Sequence, residues 1–190
     1  MELGLLVMRL AVGGTVAAHG AQKLLSPRRG GLGIDATAGF LDALGFRPPR
    51  AHAWVVGVAE LAGGLGLAVG LLTPLAAAAV IGVMVAAIGA AHLSNGFFSQ
   101  SGGLEYPLVL GSGATALALT GPGRWSLDHV LGWSFTSSGW SVGALCLGLG
   151  SALIVLGARA YRRARPPAQP RPRTRQRWPL LATGPRQSRR

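Results

Sequence analysis

Five long apolar stretches alternate with short polar or Gly/Pro-containing ones along the chain. They are Leu3–Leu25, Ala53–Leu72, Pro74–Leu93, Leu104–Thr120 and Trp140–Ala158. A helix needs about 20 mostly apolar residues to cross a bilayer. The pattern therefore predicts five crossings, with the fourth at the short limit of that length. Only Thr73 separates the second stretch from the third, so those two helices are antiparallel neighbours. Pro74 suits a first helical turn, where its missing N–H is not needed. The first stretch has no basic leader, carries Arg9 inside it and ends in Gln22-Lys23 without a small-residue cleavage site, which favours a retained span over a signal peptide.

The connections are read by their breakers. Ser26–Arg50 is polar. Within it, Asp35 opens a short helix, Ala36–Leu44, that ends at Gly45, with Phe40, Leu41 and Leu44 on one side as in an interfacial segment. His52 and Trp54 mark the start of the second span, and Trp is enriched at membrane interfaces. Ser94–Gly103 is a polar turn, and Trp125–Gly139 reads as a surface segment. After Tyr161 the chain is Pro- and Arg-rich, too poor in apolar residues to fold alone.

Small residues line two of the predicted helices. Ala53, Gly57, Glu60 and Gly64 fall at i, i+4, i+7 and i+11, which is one helical stripe. Gly13, Ala17 and Gly20 form a small face on the first helix, and small faces let membrane helices approach closely. Glu60 stands out on its stripe, because a carboxylate at that depth costs about 2.5–3.5 kcal/mol on insertion scales and so faces the bundle interior.

Composition agrees with this class. Of 190 residues, 49% are hydrophobic and only 13% charged, where soluble domains carry about a quarter charged residues. The single Cys146 excludes an internal disulfide. The net charge of +12 is concentrated in the tail, since eleven of the 18 basic residues lie from Arg159 onward. Five crossings put Lys23, Arg28, Arg29, Arg47, Arg50 and the tail on one side, with Arg124 alone on the other. The positive-inside rule then makes the tail cytoplasmic and the N-terminus external. The tail arginines form a lipid-facing or nucleic-acid-sticky patch; anionic lipid is the expected partner, and no specific nucleic-acid site is indicated.

This orientation gathers polar groups at the cytoplasmic side. His19 and Lys23 share a helical face at i, i+4. His19 lies about 5 Å inside the edge and Glu60 about 10 Å on the antiparallel second helix, so the two are expected to converge. His92 ends the third span and Glu105 starts the fourth at the same edge. Arg9, about 20 Å up, is a poorer partner and better suits reaching the outer headgroups. Lys23, His92 and Glu105 also suit plain snorkelling or capping at helix ends. Glu60 is too deep for a surface role, so a structural hydrogen bond and a functional site stand as its two readings.

No phosphate-binding loop, dinucleotide fingerprint, paired-cysteine zinc pattern or nucleophile elbow appears. The histidines and carboxylates lie on separate helices rather than at i, i+3 or i, i+4, which gives little support for a metal site.

A family resemblance rests on a run of motifs. They are Arg9…His19-Gly20-Ala21-Gln22-Lys23-Leu24, Gly39-Phe40…Leu44-Gly45, Ala59-Glu60-Leu61-Ala62-Gly63-Gly64 and Gly70-Leu71-Leu72-Thr73-Pro74. They continue through His92-Leu93-Ser94-Asn95-Gly96-Phe97-Phe98, Glu105-Tyr106-Pro107-Leu108 and Gly121–Asp128. Together, over about Leu3–Leu131, these resemble the DoxX family. The resemblance implies a four-helix bacterial inner-membrane protein, linked to quinone-dependent sulfur oxidation and membrane redox-stress complexes. On that basis residues 1–131 form the DoxX-like domain, 132–160 an added segment with a fifth transmembrane helix, and 161–190 a disordered basic tail.

The expected architecture is therefore all-α, a polytopic transmembrane bundle. Two function classes follow. In the first, the protein is a subunit of a quinone-linked membrane oxidoreductase, with His19 and Glu60 handling the proton and Arg9, Lys23, His92 and Glu105 completing a polar cluster. It would hold no bound cofactor beyond a quinone and would receive electrons from a soluble redox partner. In the second it is a non-catalytic scaffold or small-solute permease embedded in the lipid bilayer.

Overall fold

The computed structural model describes residues 1–164, and these form helices with no strand among them. The helices are α1 (Glu2–Leu24), α2 (Ile34–Ala43), α3 (Pro49–Val69), α4 (Thr73–Ala87), α5 (Glu105–Thr120), α6 (Leu127–Val130) and α7 (Ser138–Ala164). A π-turn at Ile88–His92 and a 3-10 turn at Leu93–Asn95 prolong α4. Four helices are long and apolar enough to cross a membrane: α1, α3, α4 with its extension to Asn95, and α7. α5 has 16 residues, about 24 Å of helix, which is short of that length. It nevertheless packs lengthwise on α4, α1 and α7.

Several boundaries differ from the sequence reading. α2 begins at Ile34 with Gly33, not Asp35, at its N-cap; Asp35 lies inside the first turn. α3 begins at Pro49 rather than Ala53, because proline in the first turn starts a helix without losing a hydrogen bond. α7 runs on to Ala164, through the first residues of the stretch expected to be a disordered tail. The rest of that stretch, from residue 165, lies outside the described residues. Two of the arginines assigned to a lipid-facing patch point elsewhere. Arg159 donates from Nε to the Leu44 carbonyl (2.7 Å) and from a terminal nitrogen to Ala90 O (3.1 Å), and Arg163 donates to Leu44 O (2.7 Å). They satisfy carbonyls freed at the end of α2 and in the π-turn, where intrahelical partners run out.

α4 is apolar all round and central, packed by α3, α5 and α7. Val80, Ala77, Leu67, Val16, Ala114 and Leu117 form the core around it. α1 and α3 make the most extensive helix pair. There the two small-residue stripes mate. A Cβ on Gly20 would fall 2.3 Å from the Leu61 nitrogen, and one on Gly64 would fall 2.3 Å from the Ala17 nitrogen. The backbones thus touch along the seam, which is the close approach that small residues permit.

The ends of the bundle differ in chemistry. At one end lie the α1 C-terminus, α2, the α3 N-terminus, the α4 extension and the α7 C-terminus, held together by the Arg159 and Arg163 bonds. This basic end carries Lys23, Arg28, Arg29, Arg47 and Arg50. At the opposite end Glu2 accepts a hydrogen bond from the Arg124 N–H, and α6 packs on the α3–α4 turn through Asp128 N–H to Gly70 O (2.8 Å).

Candidate functional site

The seam between α1 and α3 sets the site. Gly20 lies against Leu61, and the Leu24 side chain lies against Gly57. Lys23 therefore starts nearer the basic end than Glu60. A helical side chain leans toward its own N-terminus, so Lys23 leans into the bundle while Glu60, on an antiparallel helix, leans back toward it. Lys23 Nζ meets Glu60 Oε2 at 2.5 Å. The Glu60 side chain is 6% exposed and that of Lys23 is 24% exposed, so this ion pair is far more enclosed than an ordinary surface one.

His19 does not meet Glu60. It lies further round α1 than the Gly13–Gly20 stripe, toward α5. There its Nε2 shares a hydrogen bond with the Tyr106 hydroxyl at 2.8 Å, with the rings edge to face. The expected His19–Glu60 pair is thus replaced by two pairs, Lys23–Glu60 and His19–Tyr106. Register is the reason. With Gly20 opposite Leu61, His19 lies level with Glu60 or above it and leans away, whereas Lys23 comes from below with a longer reach. His19 and Lys23 stand one turn apart on α1, so the two pairs are neighbours in one polar patch contributed by α1, α3 and α5.

The other expected members are elsewhere. His92 Nδ1 bonds to the Gly102 carbonyl (2.7 Å), and Asn95 donates to the same carbonyl (3.2 Å). Glu105 accepts from the Ser99 N–H (3.0 Å) and hydroxyl (2.6 Å). Both residues staple the 94–103 loop, and neither joins Lys23, Glu60 or His19 among the described residues. Arg9 is at the opposite end of the bundle. It is 1% exposed and donates to the Trp125 carbonyl, so it reaches neither the headgroups nor the patch.

Tyr106 is the member that sequence reasoning missed. It stands at the head of α5 beside Glu105, and only the packing of α5 on α1 shows that it, not its charged neighbour, faces the site. No group of described residues could hold a metal ion. A groove of about 380 Å³ between α4, α5 and α7, lined by Met84, Ile88, Leu108, Gly111 and Leu149, contains no titratable group.

A phenol and an imidazole in hydrogen-bond contact can each donate and accept a hydrogen bond, and Lys23 Nζ lies against Glu60 Oε2 one turn along α1.

Comparison with known proteins adds a family. Residues 4–93 match the DoxX family model. The matched stretch holds α1 to the π-turn, including His19, Lys23 and Glu60, and stops before Tyr106. No curated protein and no solved structure matches the chain.

Proposed function

We propose that this chain, in which residues 4–93 match the DoxX family model and four described helices are long and apolar enough to cross a membrane, is the membrane subunit of a quinone-linked redox complex. The single observation that carries the reading is the convergence of Lys23–Glu60 and His19–Tyr106 at the basic end of the bundle. Tyr106 is 44% exposed and its partner His19 is half-buried, so the pair is accessible from the surface of the bundle. Those two side chains fit a quinone carbonyl, which accepts hydrogen bonds from a phenol or an imidazole. A quinone supplies a lipid-soluble acceptor of electrons and protons. Tyr106 orients the headgroup. His19 holds the proton at Nε2, facing the Tyr106 hydroxyl. Lys23 and Glu60 form the charged reserve behind them, with Lys23 open enough to exchange with water. Electrons come from a soluble partner, because the patch contains only proton-handling groups.

The test is quinone content. Protein purified in mild detergent should carry extractable quinone, and Tyr106→Phe should retain less of it at equal folding. A quinone-free protein whose loss leaves membrane redox activity untouched would be a scaffold or small-solute permease instead.

The same proposal includes placement in the bacterial inner membrane, with the basic end cytoplasmic, the N-terminus external and α5 as a fifth crossing. The tail from residue 165 would lie on the cytoplasmic side against anionic lipid. Reporter fusions after Trp125 and after Ala164 should show opposite sidedness, external and cytoplasmic respectively. Fusions reporting the same side would refute the orientation.

A further inference from the structure

Arg9 and Lys23 lie on one stripe of α1, with Gly13, Val16 and Gly20 between them at i+4, i+7 and i+11. Lys23 at i+14 has Glu60. Arg9 has a more demanding situation, because its guanidinium is enclosed at 1% exposure. One terminal nitrogen donates to Trp125 O, while Nε and Nη1 meet no acceptor. Nη1 presses on the α3–α4 turn, where a Cβ at Gly70 would fall 1.9 Å from it. That turn has the left-handed backbone that glycine tolerates (Gly70 φ +67°). A buried charge without a partner is costly, and the carboxylates near enough to act on Arg9 are Asp128 and Glu2.

Asp128 is the buried one of the two. It is 0% exposed. Its carboxylate accepts from Leu72 N–H (2.7 Å), Thr73 N–H (2.9 Å) and the Thr73 hydroxyl (2.7 Å), and its own N–H donates to Gly70 O (2.8 Å). It thus caps α4 from a distant part of the chain, although α4 has no capping side chain of its own. Arg9 and Asp128 share no direct bond but meet on the same turn, Arg9 through Nη1 against Gly70 and Asp128 through its N–H on Gly70 O.

We propose that Arg9 is the counter-charge of Asp128 and that the pair is a register lock, fixing α1 lengthwise against the α3–α4 turn. Arg9 is a positioning residue. The same stripe delivers Lys23 about 21 Å further along a continuous helix. The backbone-tight glycine seam between the two ends transmits that placement without slack. The inference does not depend on the quinone reading. It would hold equally for a scaffold.

A charge cycle tests it on the full chain, with Cys146→Ser as background. Arg9→Met, Asp128→Asn and the double variant are compared for thermal unfolding in detergent. Each is also compared for disulfide yield between Leu24→Cys and Gly57→Cys, a pair in contact at the basic end. Each single change should lower the melting temperature and cut the far-end disulfide yield several-fold, because each leaves one buried charge alone. The double variant should recover much of both losses, and Arg9→Lys should recover part of the yield. If Asp128→Asn alone does not fold, recovery of folded protein in the double variant carries the same meaning. Additive losses, or a disulfide yield unchanged in Arg9→Met, would overturn the lock and leave Asp128 as a cap only.

Discussion

Gly64→Ala is expected to separate α1 from α3 and to lose most of the folded protein. The added methyl would lie 2.3 Å from the Ala17 nitrogen and 2.6 Å from the Gly13 carbonyl oxygen. Both are backbone atoms of a packed helix, so no side chain can swing away to make room. Overpacking in a well-packed core costs about 1–3 kcal/mol and occasionally more. A backbone collision in the middle of the longest seam belongs at the upper end of that range. Gly14→Ala, on the partner helix α1, is the internal control, because nothing lies within 4 Å of its Cβ position. It should be neutral or slightly stabilising, as alanine is the better helix former. Thermal unfolding of the two variants in one detergent reads the contrast directly. Equal melting temperatures would mean that the α1–α3 seam is looser than the structure has it.

Glu60 gives the second large effect, and it separates stability from activity. Glu60→Leu strands the Lys23 ammonium beside an apolar surface. Breaking a fully buried pair costs roughly 3–5 kcal/mol. Here the Lys23 side chain is 24% exposed, so it can turn to water and the cost falls below that range. Glu60→Gln keeps an acceptor for Lys23, and hydrogen bonds between membrane helices average about 0.6 kcal/mol. The order of stability should therefore be wild type, then Gln, then Leu, with Gln folding near normally. Proton handling should be lost in both, because neither side chain titrates. Melting curves of both variants check the order, and a Leu variant as stable as Gln would show that the carboxylate makes no structural bond.

Much of the fold was legible because membrane solvation writes itself into composition. Four of the five expected spans, as helices long and apolar enough to cross a membrane, the α3–α4 antiparallel pair and both small-residue stripes follow from runs and spacings that depend on local sequence. The stripe carrying Glu60 correctly marked the side that meets α1. What was not legible depends on helix register. A shift of a few ångströms along the seam decides whether Glu60 takes His19 or Lys23, and only the mating of Gly20 with Leu61 fixes it. The role of Asp128 was equally hidden. It lies in a segment that reads as surface, and it caps a helix more than fifty residues away in the chain (Thr73). Arg159 and Arg163 looked like tail because their neighbours are basic, whereas their partners are carbonyls on α2 and the π-turn. Tyr106 stands beside Glu105 in the sequence and carries no charge. Its importance comes from α5 packing on α1.

The central claim is that the patch of Lys23, Glu60, His19 and Tyr106 handles a proton in quinone-linked redox chemistry. The most direct measurement is quinone reduction in membranes isolated from a deletion strain that is complemented with wild-type or Glu60→Gln protein at matched, folded abundance. The wild type should restore the activity and the Gln variant should not, while both show the same amount of folded protein. Full activity in the Glu60→Gln membranes would contradict the claim and leave helix packing as the reason for a carboxylate at that depth.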